Sequence, residues 1–224
     1  CNSKIPVIAG TGSNSTEEAI ELSKFAEKAG TDALLIVTPY YNKPTQEGLY
    51  QHYKKINDSV GIPILIYNIP SRSVIDMSVD TMTKLFELKN IVGVKDATGD
   101  LKRVELQKKS MGNEFIQLTG NDDNALEFNK LGGVGAIGVT ANIAAKLSSE
   151  FQKACVNDMN KAVELNKILQ PLHAAMFIES NPSPVKFAAS LLNMCQSNVR
   201  LPLVEVQDES KQKIIQALKV AKML

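Results

Sequence analysis

The 224-residue sequence is 44% apolar and 22% charged, and its 25 basic and 24 acidic residues leave a formal charge of +1. That is enough apolar material for one sizeable core, and too even a charge for a nucleic-acid or polybasic membrane surface. The three cysteines, Cys1, Cys155 and Cys195, are odd in number and far apart, so a secreted disulfide framework and a CxxC zinc site both fit poorly and a reducing, cytoplasmic setting fits well.

Short β-branched runs alternate with longer amphipathic segments, the pattern of βα units around a parallel sheet. The first expected strand is "PVIAG" at 6–10, followed by a helix that Ser15 and Thr16 introduce and Gly30 closes. "ALLIVTPY" at 33–40 gives the second strand, and Thr45 heads the helix after it. "PILIYN" at 63–68 is the third, with Ser78 starting the next helix, and "IVGVKD" at 91–96 is the fourth. "FIQLTG" at 115–120 and "GAIGVT" at 135–140 complete the set, with a helix from Asp122 to Gly132 between them. The longest apolar runs are too short to span a bilayer.

After the sixth strand the alternation stops. Helical patterns over 143–155, 159–172, 184–192 and 208–223 predict a C-terminal helical appendage. The expected division is therefore 1–157 for the βα units and 158–224 for the helical region. Six such units fit an open doubly wound sheet or most of a TIM (β/α)8 barrel, and spacing leaves both open. In a barrel two units are missing, so at ~30 residues each roughly 60 residues are expected ahead of Cys1, and the opening "CNSKIPVIAG", without an initiator methionine, agrees.

Lys95 is out of keeping with the apolar run around it. Alternation puts Ile91, Gly93 and Lys95 on one face of the strand, with Gly93 removing bulk beside the lysine. Either the strand ends early and Lys95 reaches water, or the amine faces a barrel interior at the C-terminal end of a strand. There desolvation favours the neutral form that attacks a ketone. Tyr67 ends its own strand and can donate or recover protons at the same rim, and Arg72, in the loop beyond, offers a planar fork to a carboxylate. Two other patterns carry less. "GVGAIG" at 133–138 matches GxGxxG but leads into a strand instead of opening a helix. Asp122 and Asp123 read as helix N-terminal carboxylates.

The segments "AGTGSNST", "VTPYYNKPTQEGLYQHY", "YNIPSRS", "GVKDATGD", "LTGNDD", "GAIGVTAN" and "NPSPVK" resemble, in order and spacing, the dihydrodipicolinate synthase family across the whole chain. The resemblance implies a TIM barrel and a lyase of lysine and diaminopimelate biosynthesis. It condenses pyruvate with L-aspartate 4-semialdehyde through a lysine Schiff base, giving 4-hydroxy-tetrahydrodipicolinate with no metal and no organic cofactor. His52 and His173, the two histidines, have no acidic or thiol partner at ligand spacing. By the same resemblance Lys95 forms the Schiff base, Tyr67 transfers protons, and Tyr41 completes the relay of a neighbouring subunit. Arg72 holds the semialdehyde carboxylate, while the backbone of Ile137 and Gly120 line the pyruvate pocket. Asn14, Glu18 and Tyr40 correspond to the lysine effector site of inhibited members. A homotetramer built as a dimer of dimers is implied as well. The family's Gly-Thr-Thr-Gly-Glu motif, whose threonines bind pyruvate, is not in this sequence and would lie in the two missing units. A related pyruvate lyase such as N-acetylneuraminate lyase, or a non-catalytic binding or assembly module, are the competing readings.

Overall fold

The computed structural model of the chain describes residues 1 and 4–224. The six apolar runs become strands β1 (Ile8–Gly10), β2 (Ala33–Val37), β3 (Ile64–Asn68), β4 (Ile91–Asp96), β5 (Ile116–Thr119) and β6 (Gly135–Ala136). They form one sheet in sequence order, and β1 to β5 pair parallel throughout. Parallel neighbours need a crossover between them, and the helices provide it. The order never turns back on itself, whereas a doubly wound sheet reverses at its switch point. The chain divides into two compact units, residues 1–121 with 131–135, and residues 122–130 with 136–224.

In the first unit the crossovers contain α1 (Thr16–Lys28), α2 (Gln46–Asn57), α3 (Pro70–Ser73), α4 (Val79–Phe86) and α5 (Lys102–Met111). Three start where the sequence places them. Ser15, Thr45 and Ser78 accept from the backbone N–H of Glu18, Gly48 and Thr81, caps worth ~1 kcal/mol each. Leu34, Ile36, Ile64, Ile66, Ile91 and Val94 on the sheet pack with Ala19, Leu49, Tyr53, Met82 and Leu85 of the helices, and this layer is the unit's core. The Tyr53 hydroxyl, fully buried, donates to the Ile36 carbonyl at 2.6 Å.

Two helices go beyond the sequence reading. Arg72 lies on the one-turn helix α3, which Pro70 opens, and not in a loop. The whole of α5 was not anticipated, because its buried side carries Arg103 and Gln107 beside Val104 and Met111, and an apolar stripe is what periodicity detects. The strand faces also differ from simple alternation. The β3–β4 register steps between Ile64 and Leu65, pairing Ile64 with Ile91 but Leu65 with Gly93, so Val92 has no register partner on β3. Ile91 therefore joins Val94 in the helix-side core and does not share a face with Lys95. Gly93 does not make room for the lysine either. A Cβ there would run into the backbone carbonyl of Ile116, so the glycine allows β4 and β5 to approach.

The second unit holds α6 (Ala125–Lys130), α7 (Ala145–Asn157), α8 (Met159–Met176), α9 (Ser183–Leu191) and α10 (Asp208–Val220). Phe151, Leu169, Leu172, Met176, Ala188, Ile214 and Leu218 form its core. Asp122 belongs to a 3-10 turn, Asp122–Asn124. It serves a loop more than a helix end, because its carboxylate accepts from the N–H groups of Val139, at 2.6 Å, and Thr140, at 3.1 Å. That loop diverts the chain, so the strand expected to reach residue 140 stops at Ala136. A Cβ on Gly138 would overlap the same carboxylate. Among the described residues no helix is long and apolar enough to cross a membrane.

Candidate active site

Tyr67 and Lys95 are register partners at the C-terminal ends of β3 and β4. Register continues the row to Val37 on β2 and Leu118 on β5. Because partners in a parallel sheet point the same way, these side chains stand together on the side away from the helices. Lys95 is 9% exposed, and its Nζ lies 4.0 Å from the centroid of the Tyr67 ring, within the range where a ring face attracts a cation. Gly120 stands against the lysine stem. A Cβ at Gly120 would lie 3.0 Å from Lys95 Cε and 2.7 Å from Ala97 Cβ, and the Gly120 N–H donates to the Asp96 carbonyl at 2.7 Å.

Beside the pair opens a cavity of about 480 Å³, with Gly12, Val37, Tyr40, Tyr67 and Arg72 among its walls. This is the size range of small-molecule sites. Tyr67 belongs to both features, since its ring meets Lys95 and also lines the cavity. Burial pushes its phenol above the ordinary range, and the Arg72 charge opposes part of that shift. Arg72 is exposed at the cavity wall, so its guanidinium is available to an anion from solvent.

The residues after β2 divide. Tyr40 lines the cavity, whereas Tyr41 is 88% exposed and holds a left-handed backbone, φ 72°. That conformation is uncommon for a bulky residue. Asn14 Nδ2 donates to the Tyr40 carbonyl at 3.1 Å, and Asn42 Nδ2 donates to the Asn14 carbonyl at 2.9 Å. Glu18, on α1, accepts from the Ser13 hydroxyl at 2.5 Å. Ile137 belongs to the second unit, directly after β6. Lys95, Tyr67 and Gly120 thus come together, Tyr67, Arg72 and Tyr40 share a cavity, and Tyr41 stands apart from both groups.

Sequence reasoning missed a polar layer on the helix side of the same strand ends. Asn68 and Asp96, each one residue past the Tyr67–Lys95 pair, are themselves register partners. Asp96 Oδ2 accepts from Arg103 Nε at 2.9 Å and from Gln107 Nε2 at 3.2 Å. Its Oδ1 accepts from the backbone and hydroxyl of Thr98, at 2.9 and 2.6 Å. Arg103 also reaches the Met77 carbonyl at 2.8 Å and Asp76 at 3.4 Å, and Asn68 Nδ2 donates to Asp76 at 2.7 Å. The one signal in the sequence was the i, i+4 spacing of Arg103 and Gln107 alongside Val104 and Met111.

The chain resembles known proteins along its whole length. A 4-hydroxy-tetrahydrodipicolinate synthase of Pelagibacter ubique is 70% identical over 227 residues, which cover 100% of this chain and 78% of that protein. The crystal structure of a chloride-inhibited dihydrodipicolinate synthase from Acinetobacter baumannii, complexed with pyruvate, matches with a TM-score of 0.97 at 46% identity. The match covers 100% of this chain and 77% of that one. A dihydrodipicolinate synthase from Cyanidioschyzon merolae with lysine bound gives a TM-score of 0.96 at 35% identity, covering 100% of this chain and 76% of that one. Residues 1–221 match the dihydrodipicolinate synthetase family, and the chain belongs to that family.

Proposed function

We propose that the chain is a Schiff-base-forming lyase, condensing pyruvate with L-aspartate 4-semialdehyde to give 4-hydroxy-tetrahydrodipicolinate on the route to diaminopimelate and lysine. The names of its relatives support this reading, and the observation that carries it is the Lys95 amine held 4.0 Å from the Tyr67 ring at adjacent strand ends. In this reading the neutral amine of Lys95 attacks the keto carbon of pyruvate and water leaves, giving an iminium. Loss of a methyl proton makes an enamine, whose carbon adds to the aldehyde. The substrate's amino group then displaces Lys95 as the ring closes. Tyr67 carries protons between these steps, Gly120 leaves space for the lysine stem, and Arg72 holds the semialdehyde carboxylate at the cavity wall.

Tyr41 acts in a neighbouring subunit, which its exposure and left-handed backbone support. The working enzyme is then a cytoplasmic homotetramer, a dimer of dimers. Ile137 supplies backbone groups to pyruvate. Asn14, Glu18 and Tyr40 form an effector site for lysine, supported by the bond from Asn14 to the Tyr40 carbonyl. The sheet is read as units three to eight of a TIM (β/α)8 barrel over residues 1–157, with 158–224 as a helical region. Its unreversed strand order supports this, as do the greater length of the relatives and the exposed Ile8, Leu22 and Phe25 along β1 and α1. Apolar surface of that kind is what two further βα units would cover.

Borohydride reduction in the presence of pyruvate tests the reading. The chain gains the mass of the reduced pyruvate imine on Lys95, and aspartate semialdehyde added before the borohydride is consumed. An unlabelled Lys95 overturns the assignment.

A further inference from the structure

We infer that Arg103 is a positioning residue for the condensation, one that sets Lys95 against Tyr67 by binding the strand ends from behind. The inference rests on the reading of Lys95 as the nucleophile and goes beyond it. Arg103 is 9% exposed and extends from α5 to the helix side of the strand ends, opposite the amine. Its Nε holds Asp96 at 2.9 Å, and Asp96 is the residue next to Lys95. Its Nη2 holds the Met77 carbonyl at 2.8 Å, and Met77 N–H donates to Asn68, the residue next to Tyr67. One planar guanidinium thus links the Asp96 carboxylate beside the amine, through Met77, to the Asn68 side chain beside the phenol. Asn68 and Asp96 are register partners one step past the reacting pair, so a shift of either one is passed directly to Tyr67 or Lys95.

The chemistry of the bonds makes the link stiff. Asp96 is 5% exposed and accepts from Arg103, Gln107 and both donors of Thr98, so its two oxygens are satisfied and charge-assisted. A buried carboxylate that lost the arginine would have to turn toward water or another donor, and β4 would turn with it. Imine formation needs the amine and the proton donor aligned to a fraction of an ångström. Arg103 acts through Asp96.

The test follows borohydride trapping of pyruvate on Lys95 in wild type, Arg103→Met and Arg103→Lys, on protein shown to be folded by calorimetry. Arg103→Met is expected to slow the trapping rate at saturating pyruvate by at least about tenfold, by the geometry sensitivity of such steps. The pyruvate concentration for half-maximal rate should stay within about twofold, since the substrate contacts are untouched. Arg103→Lys keeps a cation toward Asp96 and should recover part of the rate. Gln107→Met, which removes a second donor to Asp96 while leaving the guanidinium in place, should give a smaller loss of the same kind. Wild-type trapping rates in folded Arg103→Met overturn the inference, as does a loss confined to half-saturation. Failure of wild type to label Lys95 at all overturns the reading of the nucleophile and this inference with it.

Discussion

A single methyl group at Gly120 is the sharpest probe of the site. The backbone there lies outside the left-handed region, so Gly120→Ala brings no conformational strain and acts only through contact. Its Cβ would lie 2.7 Å from Ala97 Cβ and 3.0 Å from Lys95 Cε, whereas carbon atoms rest at about 3.5–4.0 Å. Ala97 is backbone-anchored, following β4 with its N–H bound to the Asn68 carbonyl at 2.8 Å. The lysine stem can yield by somewhat under ~1 Å on these contact distances, but the closer contact with Ala97 is relieved only if the backbone at the strand ends shifts as well. Overpacking of this kind costs about 1–3 kcal/mol of stability, which for a chain of this size lowers Tm by several degrees. A misplacement approaching ~1 Å costs up to about 10²-fold in a positioned reaction. The expected result is therefore a folded variant whose pyruvate trapping on Lys95, followed by intact mass, falls between tenfold and a hundredfold on that scale. A variant that labels at the wild-type rate with an unshifted Tm would refute the argument that Gly120 is bare on account of Ala97 and the lysine.

Tyr67→Phe keeps the ring against Lys95 and removes the hydroxyl. The rate of semialdehyde consumption should fall by about 10²–10⁴, the usual contribution of a positioned proton donor, and a loss under about tenfold would take the phenol out of the proton path. Arg72→Ala should raise half-saturating semialdehyde by at least about tenfold, the worth of a charge-assisted hydrogen bond, and affect pyruvate trapping far less. Equal losses for both substrates would count against the assignment. His52 is buried, with Nδ1 2.9 Å from the Thr16 hydroxyl, and burial pulls its pKa down to about 4. The unfolded chain therefore takes up a proton near pH 6.5 that the folded chain refuses, so stability is complete above pH 6.5 and falls as pH drops toward 4. The shift corresponds to about 3 kcal/mol. Denaturant titrations from pH 7 to pH 4 should show that slope, reduced in His52→Gln, and an unchanged slope in the variant would acquit His52.

How far the sequence reached depended on which force set each element. Ser15, Thr45 and Ser78 announce their helices because a capping side chain is a local device, readable within four residues. β3 and β4 read just as clearly, since burial on both faces of a parallel sheet selects continuous apolar runs. Lys95, Tyr67 and Arg72 were legible because each is chemically conspicuous at the end of such a run. What escaped was non-local. α5 turns Arg103 and Gln107 inward onto Asp96, seven and eleven residues back on β4, with Met77 and Asp76 also holding Arg103; a polar pairing across a strand-to-helix turn leaves no periodic trace. β6 stops early because Asp122, seventeen residues before Val139, takes that loop's N–H groups. Gly93 was read for its neighbour in sequence, whereas its reason is Ile116 on the next strand.

The unpaired Val92 gives β4 a slack point three residues ahead of the amine. Upstream of it the strand keeps one facing and downstream another, each fixed by its own pairing to β3, so losing or gaining a residue at that point leaves Lys95 across from Tyr67. Losing a residue between Gly93 and Lys95 would instead set Asp96 against the phenol and put the ammonium at the buried position of Val94. Indel scanning along β4 should accordingly find one tolerant site, and drift in strand length among natural variants should collect there.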